Sequence, residues 1–128
     1  MKIIITLTAA LALAGCSLQP ADFADAGSTA LALTVDGATE ANPVIGALGD
    51  DLAAPVSLLA TAGMRYAIDE YAAPENAPLY HQNLTNVKTF ATCNNVSVWL
   101  GASLPAALLV GAGCGIWSYQ NGLKKLAQ

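Results

Sequence analysis

The sequence predicts an all-α membrane chain: a short helical hairpin packed on a C-terminal transmembrane helix. Three observations predict it. Hydrophobic residues make up 55% of the chain and charged ones only 11%, where soluble domains carry about 25% charged residues. Residues 96–119 form a run of 24 without a charge. Proline and glycine stand where the remaining apolar stretches would start and stop as helices.

The first element is a leader over residues 1–15. Lys2 supplies a positive start, and residues 3–14 are an apolar stretch of twelve. That is the layout of a secretory signal peptide and too short for a span of about 20 residues. Leu13-Ala14-Gly15-Cys16 closes it. This is a lipobox, the mark of a bacterial lipoprotein precursor. Cys16 is therefore the expected lipidation site, carrying diacylglycerol and a fatty acyl group as the first residue of the mature chain. The plainer alternative is an ordinary signal peptide with a chance cysteine. Ser17 follows, and by resemblance to bacterial lipoproteins the absence of aspartate there permits outer-membrane sorting. The mature chain, residues 16–128, is a single helical membrane domain. It keeps four Lys/Arg against nine Asp/Glu, a net charge of −5.

A hairpin is expected over residues 20–71. Pro20 suits a helix start and Gly37 a stop. At helical spacing Asp22, Asp25, Thr29 and Asp36 fall roughly on one side, with Phe23, Ala30 and Leu31 elsewhere. Asn42-Pro43 is a turn, because a residue before proline is pushed out of the helical region. Asn42 can cap the helix that Pro43 opens. Pro55 can open a further helix at its first turn. Residues 52–68 carry one charge, Arg65, which stands four before Asp69 and can pair with it.

Asp25, Ser28-Thr29, Gly37 and Glu40-Ala41-Asn42-Pro43 resemble the pattern of a family of small multi-helix bacterial membrane proteins with a domain of unknown function. The resemblance covers about 20 of the 128 residues. It implies several embedded helices and brings no biochemical activity. Members carry no lipobox, a departure in this chain. The matching residues Asp25, Thr29, Glu40 and Asn42 form a candidate polar cluster. They act either as a hairpin staple or as a proton or ion site; Asp25 and Glu40, buried together, would repel unless a proton or cation intervened.

Residues 72–79 are a break between prolines, and residues 80–95 are a polar helix start running into the span. The span, residues 96–119, would be about 36 Å long at 1.5 Å per residue. It is flanked by Trp99 at one end and Trp117 and Tyr119 at the other, as membrane interfaces favour. Pro105 would bend it. Ser103, Ala107, Gly111 and Gly115 recur every four residues and form a helix-packing stripe for another helix or a second copy. The tail, residues 120–128, holds Lys124 and Lys125, which place the C-terminus in the cytoplasm if the acylated end is periplasmic. One or three spans give the same orientation. If Cys93 and Cys114 share one helix, 21 residues separate them by about 31 Å, beyond any disulfide. Cys114 then reads as a packing residue and Cys93 as free or intermolecular.

No catalytic constellation emerges. His81 is the only histidine, no serine sits in G-x-S-x-G, and no C-x-x-C or phosphate-cradling glycine motif occurs. The expectations are therefore no enzyme, no metal, and no cofactor beyond the acyl chains. The absence of a basic patch argues against nucleic acid. The expected partners are membrane lipid and, through the small-residue stripe, another membrane protein or a second copy. The expected location is the cell envelope, in the inner membrane with a periplasmic N-terminus, or lipid-anchored in the outer membrane. Two function classes remain: a compact structural or partner-binding membrane lipoprotein, and a tether between two membranes. The second layout, lipid at one end and span at the other, resembles the single-chain spanins of bacteriophages.

Overall fold

A computed structural model of the chain describes residues 18–40 and 42–128. The leader, the lipobox and Cys16 lie outside the described residues. Among the described residues the architecture is all-helical, with five helices: α1 Pro20–Ala32, α2 Pro43–Gly46, α3 Asp50–Tyr71, α4 Ala77–Trp99 and α5 Leu104–Leu126. α1 packs on both α3 and α4, the short α2 packs on α3, and α5 packs on α4 alone among the described helices. α3 also touches α4, so α1, α3 and α4 meet one another and α5 adds to α4.

Local chemistry sets the helix boundaries. Pro20 opens α1, and the Asp22 carboxylate accepts the Gln19 amide at 2.8 Å, quieting one of the unpaired donors of a helix start. Asn42 caps α2 by accepting from Val44 N at 3.0 Å. α3 begins earlier than Pro55 suggested. Gly49 turns the chain at φ 91°, and Asp50 and Asp51 occupy the first turn, where their charges oppose the positive helix end. Pro55 lies inside the helix and forgoes one backbone bond.

The largest departure from expectation is at residues 96–119, which are not one helix. α4 ends at Trp99 and α5 starts at Leu104. Gly101, at φ 87°, donates to Val98 O, while Ala102 N reaches back to Ser97 O at 2.9 Å. This pair of bonds is the Schellman stop, which needs a residue in the left-handed region and so favours glycine. Ser103 then stands at the N-cap of α5 with extended backbone, and Pro105 falls in the first turn, where its missing N–H costs nothing. Pro105 starts a helix here and does not bend one. Among the described residues no helix is long and apolar enough to cross a membrane. The predicted C-terminal transmembrane helix is thus replaced by an α4/α5 hairpin, and the argument for a cytoplasmic C-terminus loses its basis.

The reversal also brings Cys93 and Cys114 together. They form a disulfide with a Cα–Cα distance of 6.4 Å, correcting the reading of Cys114 as a packing residue and Cys93 as free. The 31 Å separation held only for an unbroken helix.

The interior is inverted relative to a soluble bundle. Among the described residues the buried apolar ones are alanines and one isoleucine, Ile45, and the largest fully buried side chains are Arg65, Thr61 and Asp22. Large apolar side chains lie outside, among them Phe23, Leu31, Leu104, Leu109 and Ile116. Charged residues are almost never fully buried unless paired. α1 shows the inversion most plainly: Asp22, Asp25, Ser28 and Thr29 are buried while Phe23 and Leu31 are exposed.

Candidate functional site

α1 presents two carboxylates to the interior, and each meets a cation from a different helix. Asp22 is held by Arg65 of α3 in a two-pronged pair, Nε to Oδ2 at 2.6 Å and Nη2 to Oδ1 at 2.8 Å. Both side chains are fully buried. A planar guanidinium matches a carboxylate in this way, and a lysine could not. The rest of the guanidinium is also engaged. Nη2 lies 3.2 Å from Thr85 Oγ1, and Nη1 lies 3.3 Å from His81 Nδ1. Arginine only donates, so Nδ1 of His81 accepts and its ring proton sits on Nε2. That nitrogen faces Asp69 Oδ1 at 2.7 Å. A continuous polar chain therefore runs Asp22, Arg65, His81, Asp69. Thr85 extends it to Gln19 Oε1 at 2.7 Å, tying the chain entering α1 to α4.

One turn along α1, Asp25 accepts from Lys88 Nζ of α4 at 2.7 Å, with both side chains nearly buried. One turn further, Asn95 Nδ2 donates to Thr29 Oγ1 at 3.0 Å. The seam between α4 and α5 is polar too. Gln82 Nε2 and Ser118 Oγ converge on Asn86 Oδ1 at 2.7 and 2.8 Å.

The candidate polar cluster divides in two. Asp25 and Thr29 bond to α4. Glu40 and Asn42 stay in the loop, where Glu40 Oε1 accepts the Asn42 amide at 2.8 Å and Asn42 caps α2. Asp25 and Glu40 do not meet as a repelling pair; Lys88 is the partner of Asp25. All four nevertheless border one cleft of ≈ 1100 Å³ between α1, the loop that follows it, and α4.

Of the packing stripe, Ala107 and Gly111 are buried and Gly115 is half-buried, all against α4, while Ser103 is exposed at the N-cap. A Cβ on Gly111 would come within 3.0 Å of Phe90 O. Close approach of α4 backbone explains glycine at that position.

Sequence reasoning placed Asp22 on a helix face and Arg65 beside Asp69 without joining the two, and it missed Lys88 and the role of His81. Arg65 does not pair with Asp69, four residues on. It takes the buried partner 43 residues back, and Asp69 reaches His81 instead. A signal was present: residues 16–128 hold four Lys/Arg, and two of them, Arg65 and Lys88, interrupt otherwise uncharged helical stretches. Among the described residues no group of three or more His, Cys, Asp or Glu is placed to hold a metal ion.

The charges of the interior thus neutralise one another in pairs, and the polar atoms around them satisfy one another across three helices. Compared with protein-family models, curated proteins and solved structures, the chain matches none.

Proposed function

We propose that the chain is a lipid-anchored component of the bacterial or phage cell envelope, acting without catalysis by seating its helices against a bilayer. The observation that carries this reading is the inversion: paired charges inside and large apolar side chains outside. An apolar exterior is costly in water and favourable in lipid. The outer face of α5 is the clearest part. Leu109, Ile116 and Leu123 recur every seven residues, all exposed, with Leu109 75% so. Lys124 and Lys125 follow in the last turn, where headgroup phosphates are within their reach.

The anchor supports the same reading. Three residues, 17–19, separate Cys16 from α1. Fully extended they reach only about 10 Å. An acylated Cys16 would therefore hold α1 at the membrane surface. The Cys93–Cys114 disulfide fits an oxidising compartment, which agrees with export through a lipoprotein signal. The tether between two membranes is less well supported. It needs residues 17–95 drawn out, whereas α1, α3 and α4 pack on one another.

The test has two arms. Cells grown with labelled palmitate should acylate the wild type and not Cys16→Ala. The mature chain exported behind a cleavable signal without a lipobox should still float with phosphatidylethanolamine/phosphatidylglycerol vesicles, because the apolar face remains. Absence of label in the wild type would remove the anchor. An acyl-free chain that stays at the bottom of the gradient would remove the bilayer seat.

A further inference from the structure

α5 is held to the rest of the molecule through one neighbour. α1, α3 and α4 are joined to one another by Asp22–Arg65, Asp25–Lys88 and the Asn95–Thr29 bond, and none of these reaches α5. α5 packs on α4 alone among the described helices. The chain between the two is short, residues 100–103, and turns on Gly101 at φ 87°. The α4/α5 seam is long and close, yet it buries little apolar surface. The buried residues of α5 are Ala107, Gly111, Ser118 and Gly122, and burial stabilises in proportion to the apolar area removed from water. A groove of ≈ 300 Å³ lies between the two helices, lined by Asn86, Val87, Phe90, Gly115, Ile116 and Tyr119. Asn94 stands in the seam, where its Cβ lies 3.2 Å from the place a Cβ on Gly111 would take. Its Oδ1 is buried without a hydrogen-bond donor, the one such side-chain atom among the described residues. An acceptor of this kind costs stability for as long as it is kept from water. Cys93, the residue before it, is bonded to Cys114 across the same seam.

A seam with small buried groups and an unpaired acceptor is thus closed by a covalent bond, and that bond can be opened chemically. We infer that the Cys93–Cys114 disulfide is a redox latch: reduction by a dithiol releases α5 from a core of α1, α3 and α4 that stays folded. A thiolate of the reductant attacks one sulfur and displaces the other, which takes up a proton. The second thiol of the reductant then resolves the mixed disulfide. Two electrons and two protons pass to the protein, Cys93 and Cys114 end as thiols, and the reductant ends as a disulfide. Both cysteines are half-buried, so the bond is within reach of a reductant. Opening the bond returns the chain entropy that a link across 21 residues removes. It also lets water reach Asn94 Oδ1. The core keeps its own ion pairs, and units joined by few side-chain interactions open separately.

The experiment is a distance measurement by pulsed electron paramagnetic resonance on full-length protein in phosphatidylcholine nanodiscs. The spin labels are carried on p-acetylphenylalanine, which leaves the cysteines to their disulfide. One labelled pair replaces Tyr80 of α4 and Leu123 of α5, and a reference pair replaces Phe23 of α1 and Tyr80, all exposed positions. Dithiothreitol should lengthen the α4–α5 distance by at least ~10 Å, a helix diameter, and leave the reference distance unchanged. Reoxidation with oxidised glutathione should restore the short distance. Cys93→Ser should show the long distance with no reductant present; if that variant fails to fold, the reduced wild type carries the test. An α4–α5 distance that stays short once mass spectrometry finds Cys93 and Cys114 both open to alkylation would overturn the latch. A reference distance that changes together with it would do the same, because the disulfide would then support the whole bundle and not α5 alone.

Discussion

Two regions of this molecule are held together by opposite means. Where α1 meets α3 and α4, the joints are charges: Asp22 with Arg65, and Asp25 with Lys88. Where α4 meets α5, the joint is made close by missing side chains. Ala107 is fully buried, and Gly111 and Gly115 lie against Phe90. The disulfide then locks the hairpin near its turn. The first joint is specific and unforgiving, because each buried charge depends on one partner. The second tolerates polar or apolar neighbours and depends on volume. A chain with few large buried apolar groups needs both, since neither small-residue contact nor a paired charge contributes as much as a packed leucine core.

The difference can be broken at either joint. The largest effect is expected at Arg65. Arg65→Met leaves Asp22 buried without a cation, which should cost about 3–5 kcal/mol, read by urea unfolding of the full-length protein. Asp22→Leu combined with Arg65→Met should recover most of that loss, because the desolvated pair is replaced by apolar contact. A double variant as unstable as the single one would mean that the pair contributes net stability.

The disulfide comes next. Cys93→Ser should lower stability by about 3 kcal/mol for a closed loop of this length. Lys88→Met, read alongside it, should leave the disulfide intact, since the two joints are separate. A gel-shift assay for the oxidised hairpin distinguishes them.

The smallest effects contrast two glycines of α5. Gly111→Ala puts a methyl group within 3.0 Å of Phe90 O and should cost about 1–3 kcal/mol through overpacking. Gly113, two residues on, faces open space. Gly113→Ala should stabilise by about 0.5–1 kcal/mol through the helix preference of alanine. If both substitutions act alike in thermal unfolding, the seam is looser than its geometry implies.

Which parts were legible in the sequence follows from the range of each interaction. The helix starts at Pro20 and Asn42-Pro43 were readable because caps and proline act within a few residues. So was the recurrence of Ala107, Gly111 and Gly115, which is a property of one helix. The break at 100–103 was also local, with Gly101, Ser103 and Pro105 spelling a stop and a start. It was hidden because an uncharged run of 24 residues outweighs three punctuating residues when length alone is read. The disulfide was lost with it. The buried ion pairs had no local signature: Asp22 and Arg65 are 43 residues apart, and Asp25 and Lys88 are 63 apart. For Arg65 the local rule misled, because an i,i+4 partner at Asp69 is worth only a few tenths of a kcal/mol and a buried carboxylate outcompetes it. Within the polar cluster, Asp25 and Thr29 belong to a joint between helices, while Glu40 and Asn42 serve the loop.

If the chain seats against a bilayer as proposed, its apolar exterior faces lipid while the Asp22–Arg65 and Asp25–Lys88 pairs stay inside. That arrangement is tested most directly by a single tryptophan on α5. Leu109→Trp, in a Trp99→Phe/Trp117→Phe background, places the probe at a strongly exposed position. In vesicles containing brominated phosphatidylcholine, the account predicts blue-shifted emission that is strongly quenched by the bromine and little affected by aqueous iodide. Emission quenched by iodide and untouched by brominated lipid would contradict it, and emission protected from both would place a protein surface, a second copy or another chain, where the account places the bilayer.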